Sequence, residues 1–343
     1  MIGGIFAFFQ FINKRKEEAV SSLLLTVGVE LICGAFGTFD DKVFAYLSNQ
    51  QVDTNIVQLV TGLILLAGGV YFSVYIRNKI YILNINGYFD KRIEQHQGDL
   101  NLSPFEFKEK EIDFIRIFKK GMNPSTAHDI QDELQTKVAV FKTESKERRR
   151  GYTGIAPIPF IIRAGKLFER EKIDEFYEYD KLNDQYYSLI NQGKFRQSPY
   201  PQLLTQTPID SISNQNPEEI VVAISCTSQI TPHDTAQFPF PVIHLSVDAP
   251  KDNLIQYKDQ LKEYTTSIYD LLVQIKNGLP SVKVIHFVMA SQSCLAFEVG
   301  KLIDDHRIPK MISYQYANQG TPRYPWGLII NGAEQGTYVS SNQ

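Results

Sequence analysis

Cysteine is scarce in this chain: three residues in 343, at positions 33, 226 and 294, with no Cys-x-x-Cys pair. That excludes a disulfide framework and a zinc knuckle, and it fits a reducing compartment. The six histidines show no metal-ligand spacing, and the phosphate-loop GxxxxGK[ST], HExxH and GxSxG patterns are missing. His286 and Cys294 flank an expected strand-to-helix turn and could pair a base with a nucleophile. A strand histidine and an ordinary buried cysteine account for them more simply. His233 beside Asp234 is no stronger. Charge of one sign is lacking too. With 35 Lys and Arg against 38 Asp and Glu, the net charge is −3. No basic field points to a DNA or RNA polymer as partner. These absences favour a binding module over an enzyme, with no cofactor and no metal expected.

Long apolar runs are missing after Arg77, but two stand before it. Residues 19–39 carry one charge, Glu30, and residues 55–76 carry none. At about 1.5 Å per residue, each can cross a hydrocarbon core of about 30 Å. Lys14, Arg15 and Lys16 flank one outer side, and Arg77 and Lys79 the other. The connecting loop holds Asp40, Asp41 and Asp53. Basic flanks stay inside, so both termini are expected in the cytoplasm of a bacterial cell, the hairpin spanning its inner membrane. Residues 1–18 open with a 12-residue apolar stretch that no basic region precedes. It is expected to be an interfacial segment rather than a secretory signal.

Glu30 sits near the middle of the first span, where a carboxylate needs protein or water beside it. It could line a pore or an assembly interface, or bond Gln58 or Thr61 of the partner helix. Gly69 and Ser73, and likewise Gly34 and Thr38, are spaced for close helix packing. Two helices alone cannot enclose a pore, so any lesion needs several chains.

The remainder, 79–343, contains a duplication. Ile161-Ile-Arg-Ala-Gly165-Lys-Leu-Phe168 leads to Phe176-Tyr-Glu-Tyr179, and Ala296-Phe-Glu-Val-Gly300-Lys-Leu-Ile303 leads to Ser313-Tyr-Gln-Tyr316. The glycines are 135 residues apart and the tyrosines 137. Such a period indicates a duplicated domain rather than a short-repeat solenoid. The first half is expected over 79–190 and the second over 218–332. The stretch 191–217, rich in Pro, Gln, Ser and Asn, is expected to be a linker. In the second half, strands are expected at 219–225, 242–247, 282–288 and 310–316, with helices at 253–277 and 293–303. In the first half, segments 80–85, 112–118, helical 126–149, 152–155, 158–168 and 175–179 fall in the same order. Apolar strands alternating with helices imply an α/β fold of two Rossmann-like units with mainly parallel sheets.

Open sheets of this kind bind ligands beyond the carboxyl ends of their strands. That places candidate sites at Ser225-Cys-Thr227-Ser, at Ala290-Ser291-Gln292-Ser293, and at Gly151-Tyr152-Thr153-Gly154 with Arg150 just before it. The second opens a helix whose free N–H groups suit phosphate. Arginine grips phosphate bidentately and tyrosine stacks on bases. Each feature has a plainer reading as a helix cap or a solvated basic run.

The segment Tyr152-Thr-Gly-Ile-Ala-Pro157-Ile-Pro-Phe160, with Gly165 and Tyr179-Asp180, resembles the first-half signature of SAVED domains. Ile285-His-Phe-Val-Met-Ala290, with Ala296, Gly300, Tyr314-Gln-Tyr316, Tyr324 and Gly327-Leu-Ile-Ile330, is similar to that family's second half. The resemblance covers roughly residues 80–332. It departs at Pro157, where a His often stands. It implies two fused CARF-like units that recognise a cyclic oligonucleotide, often a trinucleotide, made by a cognate nucleotidyltransferase. The strand ends and the resemblance together give Arg150, Tyr152, Thr153, Gly154, Pro157, Ser225, Thr227, Ser291, Gln292, Ser293 and Tyr316 as the expected ligand-facing positions. The hairpin, with Glu30, Gln58, Gly69 and Ser73 in assembly, looks like the transmembrane class of CBASS anti-phage effectors. Such effectors oligomerise on ligand binding and disrupt inner-membrane lipid. Alternatives are a nonlethal tethered sensor and a ligand-degrading phosphodiesterase.

Overall fold

A computed structural model describes residues 16–37, 48, 54–103, 106–191, 200–213 and 215–341. The chain divides into two compact units, residues 1–79 and 80–343.

The first unit pairs helix α1 (Lys16–Ala35) with α2 (Ile56–Asn78). Asn55 caps α2 by accepting the Gln58 N–H at 3.1 Å. The helices touch through small residues, as the spacing suggested. A methyl on Gly69 would lie 2.9 Å from the Leu25 side chain, and one on Gly62 2.9 Å from the Gly28 carbonyl oxygen. Ser21 Oγ donates to the Gly69 carbonyl at 3.0 Å. Gln58 packs where a methyl on Gly34 would fall, and Ser73 is half-buried. Glu30 is exposed, and among the described residues it pairs with neither Gln58 nor Thr61, whose hydroxyl donates to the Val57 carbonyl. Of these two, α2 is long and apolar enough to cross a membrane, while the apolar part of α1 (Ala19–Ala35) is shorter. Ile56, Val57, Ile64 and Tyr71 are each at least two-thirds exposed, the reverse of a soluble core helix. The opening residues, Thr38 and most of the interhelical loop lie outside the described residues.

The second unit holds two sheets. Strands β1 (Ile80–Asn86), β2 (Phe107–Asp113), β3 (Arg149–Ile155), β4 (Glu175–Asp180) and β5 (Gln185–Ser188) form the first, in the order β2-β1-β3-β4-β5. All neighbours are parallel except β4 and β5. The second sheet joins β6 (Leu204–Thr205), β7 (Glu219–Ser225), β8 (Val242–Ser246), β9 (Val284–Ala290), β10 (Lys310–Gln315), β11 (Trp326–Ile329) and β12 (Tyr338–Ser340). Its order is β12-β11-β10-β9-β7-β8-β6, with a parallel centre and antiparallel edges. In both halves the Tyr-x-Tyr strand is followed by an antiparallel neighbour, β5 or β11.

Four helices cover the sheets: α3 (Pro124–Glu144), α4 (Ile158–Phe168), α5 (Lys258–Gly278) and α6 (Ser293–Leu302). Asn123 starts α3 by accepting the Thr126 N–H, with Pro124 in the first turn, where its missing N–H is no loss. Ala127, Ile130, Leu134, Val138 and Phe141, three or four apart, then face the core.

The duplication meets on itself through α4 and α6. A methyl on Gly165 would lie 2.1 Å from the Phe297 carbonyl oxygen, and one on Gly300 2.1 Å from the Ile162 carbonyl oxygen. The two glycines occupy equivalent repeat positions and each makes room for the other helix. One continuous core of buried residues runs from Leu83 and Phe160 to Phe287 and Phe297.

Three expectations need correction. The apolar run 112–118 is not one strand. Asp113 ends β2, its carboxylate accepts the Ile115 N–H at 2.9 Å, and Ile115–Phe118 form a helical turn. The helix expected over 126–149 ends at Glu144, and the basic run opens β3 instead. The stretch 191–217 is more than a linker, because Leu203 and Ile212 are buried and β6 pairs with β8.

Candidate functional site

A cleft of about 260 Å³ lies where the carboxyl ends of β3, β4, β7 and β9 converge. Its lining includes Tyr88, Gly154, Ile158, Glu178, Asp180, Lys181, Thr227, Asp252, Ser291 and Ser293. The first residues of both α4 and α6 open into it. Duplication and topology therefore bring the strand ends of both halves to one place, as the switch-point argument requires.

The deepest group is Glu178. Phe176 and Glu178 share one face of β4, while Tyr177 and Tyr179 point into the cluster on the other. A carboxyl thus stands where the strand phase calls for a core residue. It is 6% exposed, and its Oε1 accepts the Cys294 N–H at 2.6 Å, closing the amino end of α6. Burial pushes its pKa up to about 7, partly offset by the Cys294 thiol and by the N–H groups of Cys294 and Ser293. The buried Cys294 thiol is itself held well above its ordinary value, by burial and then by this carboxyl.

The repeat supplies the counterpart. Gln315 stands in the second Tyr-x-Tyr where Glu178 stands in the first. Its Oε1 accepts the Ile158 N–H at 3.1 Å, closing the amino end of α4. Each half caps the other half's helix, one with a carboxyl and one with an amide.

Ser293 and Tyr152 build the wall beside Glu178. Their hydroxyls lie 2.7 Å apart, and the Tyr152 ring stacks on Phe297 with centroids 4.0 Å apart. A methyl on Gly154 would fall 2.7 Å from the Tyr152 hydroxyl and 2.8 Å from Ser293 Oγ, so the floor needs a residue with no side chain there. Gln292 braces the loop before α6. Its Oε1 accepts the Ile255 N–H at 2.5 Å, and its Nε2 donates to the Tyr187 hydroxyl at 2.8 Å and the Ile255 carbonyl at 3.1 Å.

Of the residues singled out in the sequence, Gly154, Thr227, Ser291, Gln292 and Ser293 line this cleft. Tyr152 is not among the lining residues: it is fully buried and offers no stacking face, and it touches the cleft wall through its hydroxyl's bond to Ser293. Thr153 is buried on the opposite side of β3, and Pro157 is the buried N-cap of α4. Ser225 lies beneath the site, bonded to His244 Nε2 at 2.8 Å and to the Ile230 N–H at 2.9 Å. Tyr316 is 40% exposed, packs on Tyr324 and is not among the lining residues. Arg150 is displaced furthest. It sits at the amino end of β3, the end away from the cleft, bonded to Ser145 Oγ at 2.7 Å and to Glu171 at 2.5 Å. His286, which sequence set against Cys294, instead joins Glu219 at 2.7 Å and the Tyr314 hydroxyl at 2.9 Å, on the other face of the sheet.

Glu178, Asp180, Lys181 and Asp252 had not been singled out. Glu178 carried a signal: a charged residue between two strand tyrosines, aligned with Gln315 by the repeat. Asp180 ends β4 and was quoted only within the signature, and Lys181 and Asp252 sit in loops that carry no pattern.

A second groove, of about 750 Å³, lies at the carboxyl ends of α4 and α6 and is lined by Arg163, Lys166, Arg170, Lys301, Asp305 and Gln335 among others. Lys166 pairs with Asp305 at 2.8 Å and Lys301 with Glu298 at 2.7 Å. Among the described residues no cluster of His, Cys, Asp and Glu could hold a metal ion.

The model of the SAVED family, described as the SMODS-associated and fused to various effectors sensor domain, matches residues 134–330, and the chain belongs to that family. No curated protein sequence matches. Among solved structures, the chain is similar to the SAVED/CARF-domain containing receptor Cap4 of Acinetobacter baumannii. Its complex with the cyclic trinucleotide 2'3'3'-cAAA gives 14% identity and a TM-score of 0.47, and that with 3'3'3'-cAAA gives 14% and 0.48. Both matches cover 82% of this chain and 55% of the receptor. Cap4 of Moraxella osloensis gives 14% identity and a TM-score of 0.42, over 82% and 53%. The chain therefore spans about half the length of the receptors it matches.

Proposed function

We propose that this chain is a membrane-anchored receptor for a cyclic oligonucleotide, with the cleft above α4 and α6 as its ligand site. The carrying observation is that a sensor family built from a duplicated unit brings both sets of strand ends, and both helix amino ends, to one cleft. At about 260 Å³ the cleft is at the small end of ligand pockets. It takes part of an oligonucleotide, a base, while the sugars and phosphates of the ring lie over the mouth near Thr227, Lys181 and Asp252. The cyclic trinucleotides held by the Cap4 receptors are the first ligands to try.

The helix pair of the first unit is the effector. Its exposed apolar side chains suit lipid, and α1 and α2 cross the bacterial inner membrane as a two-span hairpin with both ends and the sensor in the cytoplasm. Ligand favours an assembled state, clusters the hairpins and disrupts the membrane, so that an infected cell dies before phage is released. The family is a sensor domain, which favours a receptor over a phosphodiesterase.

The test uses full-length protein purified in detergent, titrated calorimetrically with cyclic di- and trinucleotides while its mass is followed by light scattering. Saturable binding with a rise in mass is the expected result. No binding across the panel overturns the receptor reading. Exchanging the hairpin for an unrelated one and retaining cell killing overturns the effector reading alone.

A further inference from the structure

The amino end of α6 is a position where a ligand phosphate is expected, because the first N–H groups of a helix have no partners inside it. In this chain that place is taken. Glu178 Oε1 holds the Cys294 N–H, and the carboxyl lines the cleft. The rest of the lining sharpens the point. Asp180 and Asp252 stand with Glu178 against a single cation, Lys181. A phosphate oxygen brought to this floor would meet a carboxylate in a desolvated setting, where like charges repel most strongly. The amino end of α4 is likewise filled, by Gln315.

An ionised carboxyl only accepts hydrogen bonds. The natural occupant of this floor is a group that donates them. On a cyclic oligonucleotide such groups are the 2'-hydroxyl, the amino edges of adenine, cytosine and guanine, and the ring N–H of guanine and uracil, the last flanked by two carbonyl oxygens that a carboxylate repels. A sugar hydroxyl stays close to its phosphates and must remain with them at the rim, whereas a base projects away from the ring. The floor is also shaped for a flat group. Gly154 leaves it open beside the Tyr152 and Ser293 hydroxyls, and Ile155, Ala156 and Ile158 give it an apolar side.

We propose that Glu178 is the base-reading residue of the cleft. It accepts from the amino edge of an inserted nucleobase and so selects cyclic oligonucleotides carrying amino-bearing bases over those of uracil. The inference rests on the receptor reading above. It reverses the phosphate role that the Ser291–Ser293 segment suggested in the sequence, and it moves the phosphates to the mouth. It also assigns a purpose to the one place where the two capping residues of the duplication differ. Gln315 spends its amide N–H₂ on its own strand end, donating to the Tyr316 carbonyl at 3.0 Å. Glu178 has no amide donor, and in its ionised form it presents acceptor character alone.

The experiment compares cyclic triadenylate and cyclic triuridylate of identical linkage, which differ only in their bases. Binding is measured by calorimetry at pH 8.5, where the Glu178 carboxyl is ionised. Wild-type protein is expected to favour the adenylate by about tenfold or more, the scale on which a site built for hydrogen bonding rejects an analogue that lacks the group. In Glu178→Gln the carbonyl is retained by the Cys294 N–H, and the amide N–H₂ faces the cleft. That variant is expected to shift the ratio at least tenfold towards the uridylate, whose base presents carbonyl acceptors. Circular dichroism and melting curves confirm that it folds. If wild-type protein binds both ligands equally or prefers the uridylate, or if Glu178→Gln keeps the wild-type ratio, the base-reading role is overturned. If wild-type protein binds no cyclic oligonucleotide of the wider panel, the receptor reading itself has failed.

Discussion

Replacing Gly165 with Ala tests the join between the two halves. The new methyl would sit 2.1 Å from the Phe297 carbonyl oxygen and 3.1 Å from the Gly300 Cα. Carbon atoms pack best at about 3.5–4.0 Å, so α4 and α6 must part by roughly 1 Å or more. The obstruction is backbone, which no rotamer change can relieve. Overpacking of this kind costs about 1–3 kcal/mol. For a domain of this size each kcal/mol lowers the melting temperature by roughly 2–4 °C, so a fall of about 4–10 °C is expected. Gly300→Ala meets the Ile162 carbonyl oxygen at the same 2.1 Å and is expected to match it. The double variant discriminates. Once one methyl has parted the helices, the second enters space already opened, so the combined loss falls short of the sum by about 1 kcal/mol. The assay is urea and thermal unfolding of the three variants against wild type. Additive losses, or a single variant as stable as wild type, would refute the close helix approach on which the shared cleft depends.

Three further outcomes follow from the cleft and its surroundings. Glu178 resists ionisation when folded, so between its ordinary carboxyl value and about 7 the folded state holds more protons than the unfolded one. Its contribution is therefore most favourable at low pH and declines as pH rises to about 7, by roughly 3 kcal/mol in all. The Cys294 thiol, Lys181, and the Tyr152 and Tyr187 hydroxyls face the same carboxyl and modulate the decline. Glu178→Gln should remove that decline, read as the difference in unfolding free energy between pH 5 and pH 8; an unchanged slope assigns the titration elsewhere. Arg150→Met should lower stability by about 2 kcal/mol, by removing the guanidinium's bonds to the Ser145 hydroxyl and the Lys142 carbonyl and freeing Glu171, yet leave ligand affinity unchanged. A large loss of affinity without a loss of stability would return Arg150 to the site. Gln292→Ala should cost about 2 kcal/mol and weaken ligand binding as well, because both backbone polar groups of Ile255 lose their partner and the loop opening α6 is released. Full stability in that variant would show that the clamp is dispensable.

Much of this was legible in the residues, and the exceptions have physical reasons. The apolar strands and the repeat of Gly165-Lys-Leu in Gly300-Lys-Leu announced two α/β units, because burial imposes its period directly on the sequence. The repeat even marked the two glycines at which the helices cross. The site was legible only by neighbourhood. Gly154 and Ser291–Ser293 line the candidate cleft because topology brings the strand ends together there. Arg150 was misplaced because the helix before it stops at Glu144, which makes the basic run the start of β3 rather than its approach to the cleft. Glu178 was quoted in the repeat and passed over, since nothing local distinguishes a buried strand carboxyl from a solvated one. Its meaning comes from Cys294, 116 residues away. Lys181 and Asp252 come from loops whose positions only tertiary structure fixes. In the first unit, Gly69 lies against Leu25, and of the two readings of Glu30 the one with Gln58 or Thr61 as partner is not seen among the described residues.

The most direct test of the central claim is hydrogen–deuterium exchange of the full-length protein with and without a cyclic oligonucleotide that it binds. The account predicts slowed exchange in peptides covering residues 154–158, 178–182, 227 and 291–295, with none at 163–170 and 301–306 around the second groove. Protection confined to that second groove, or absent from the strand ends of either half, would contradict it.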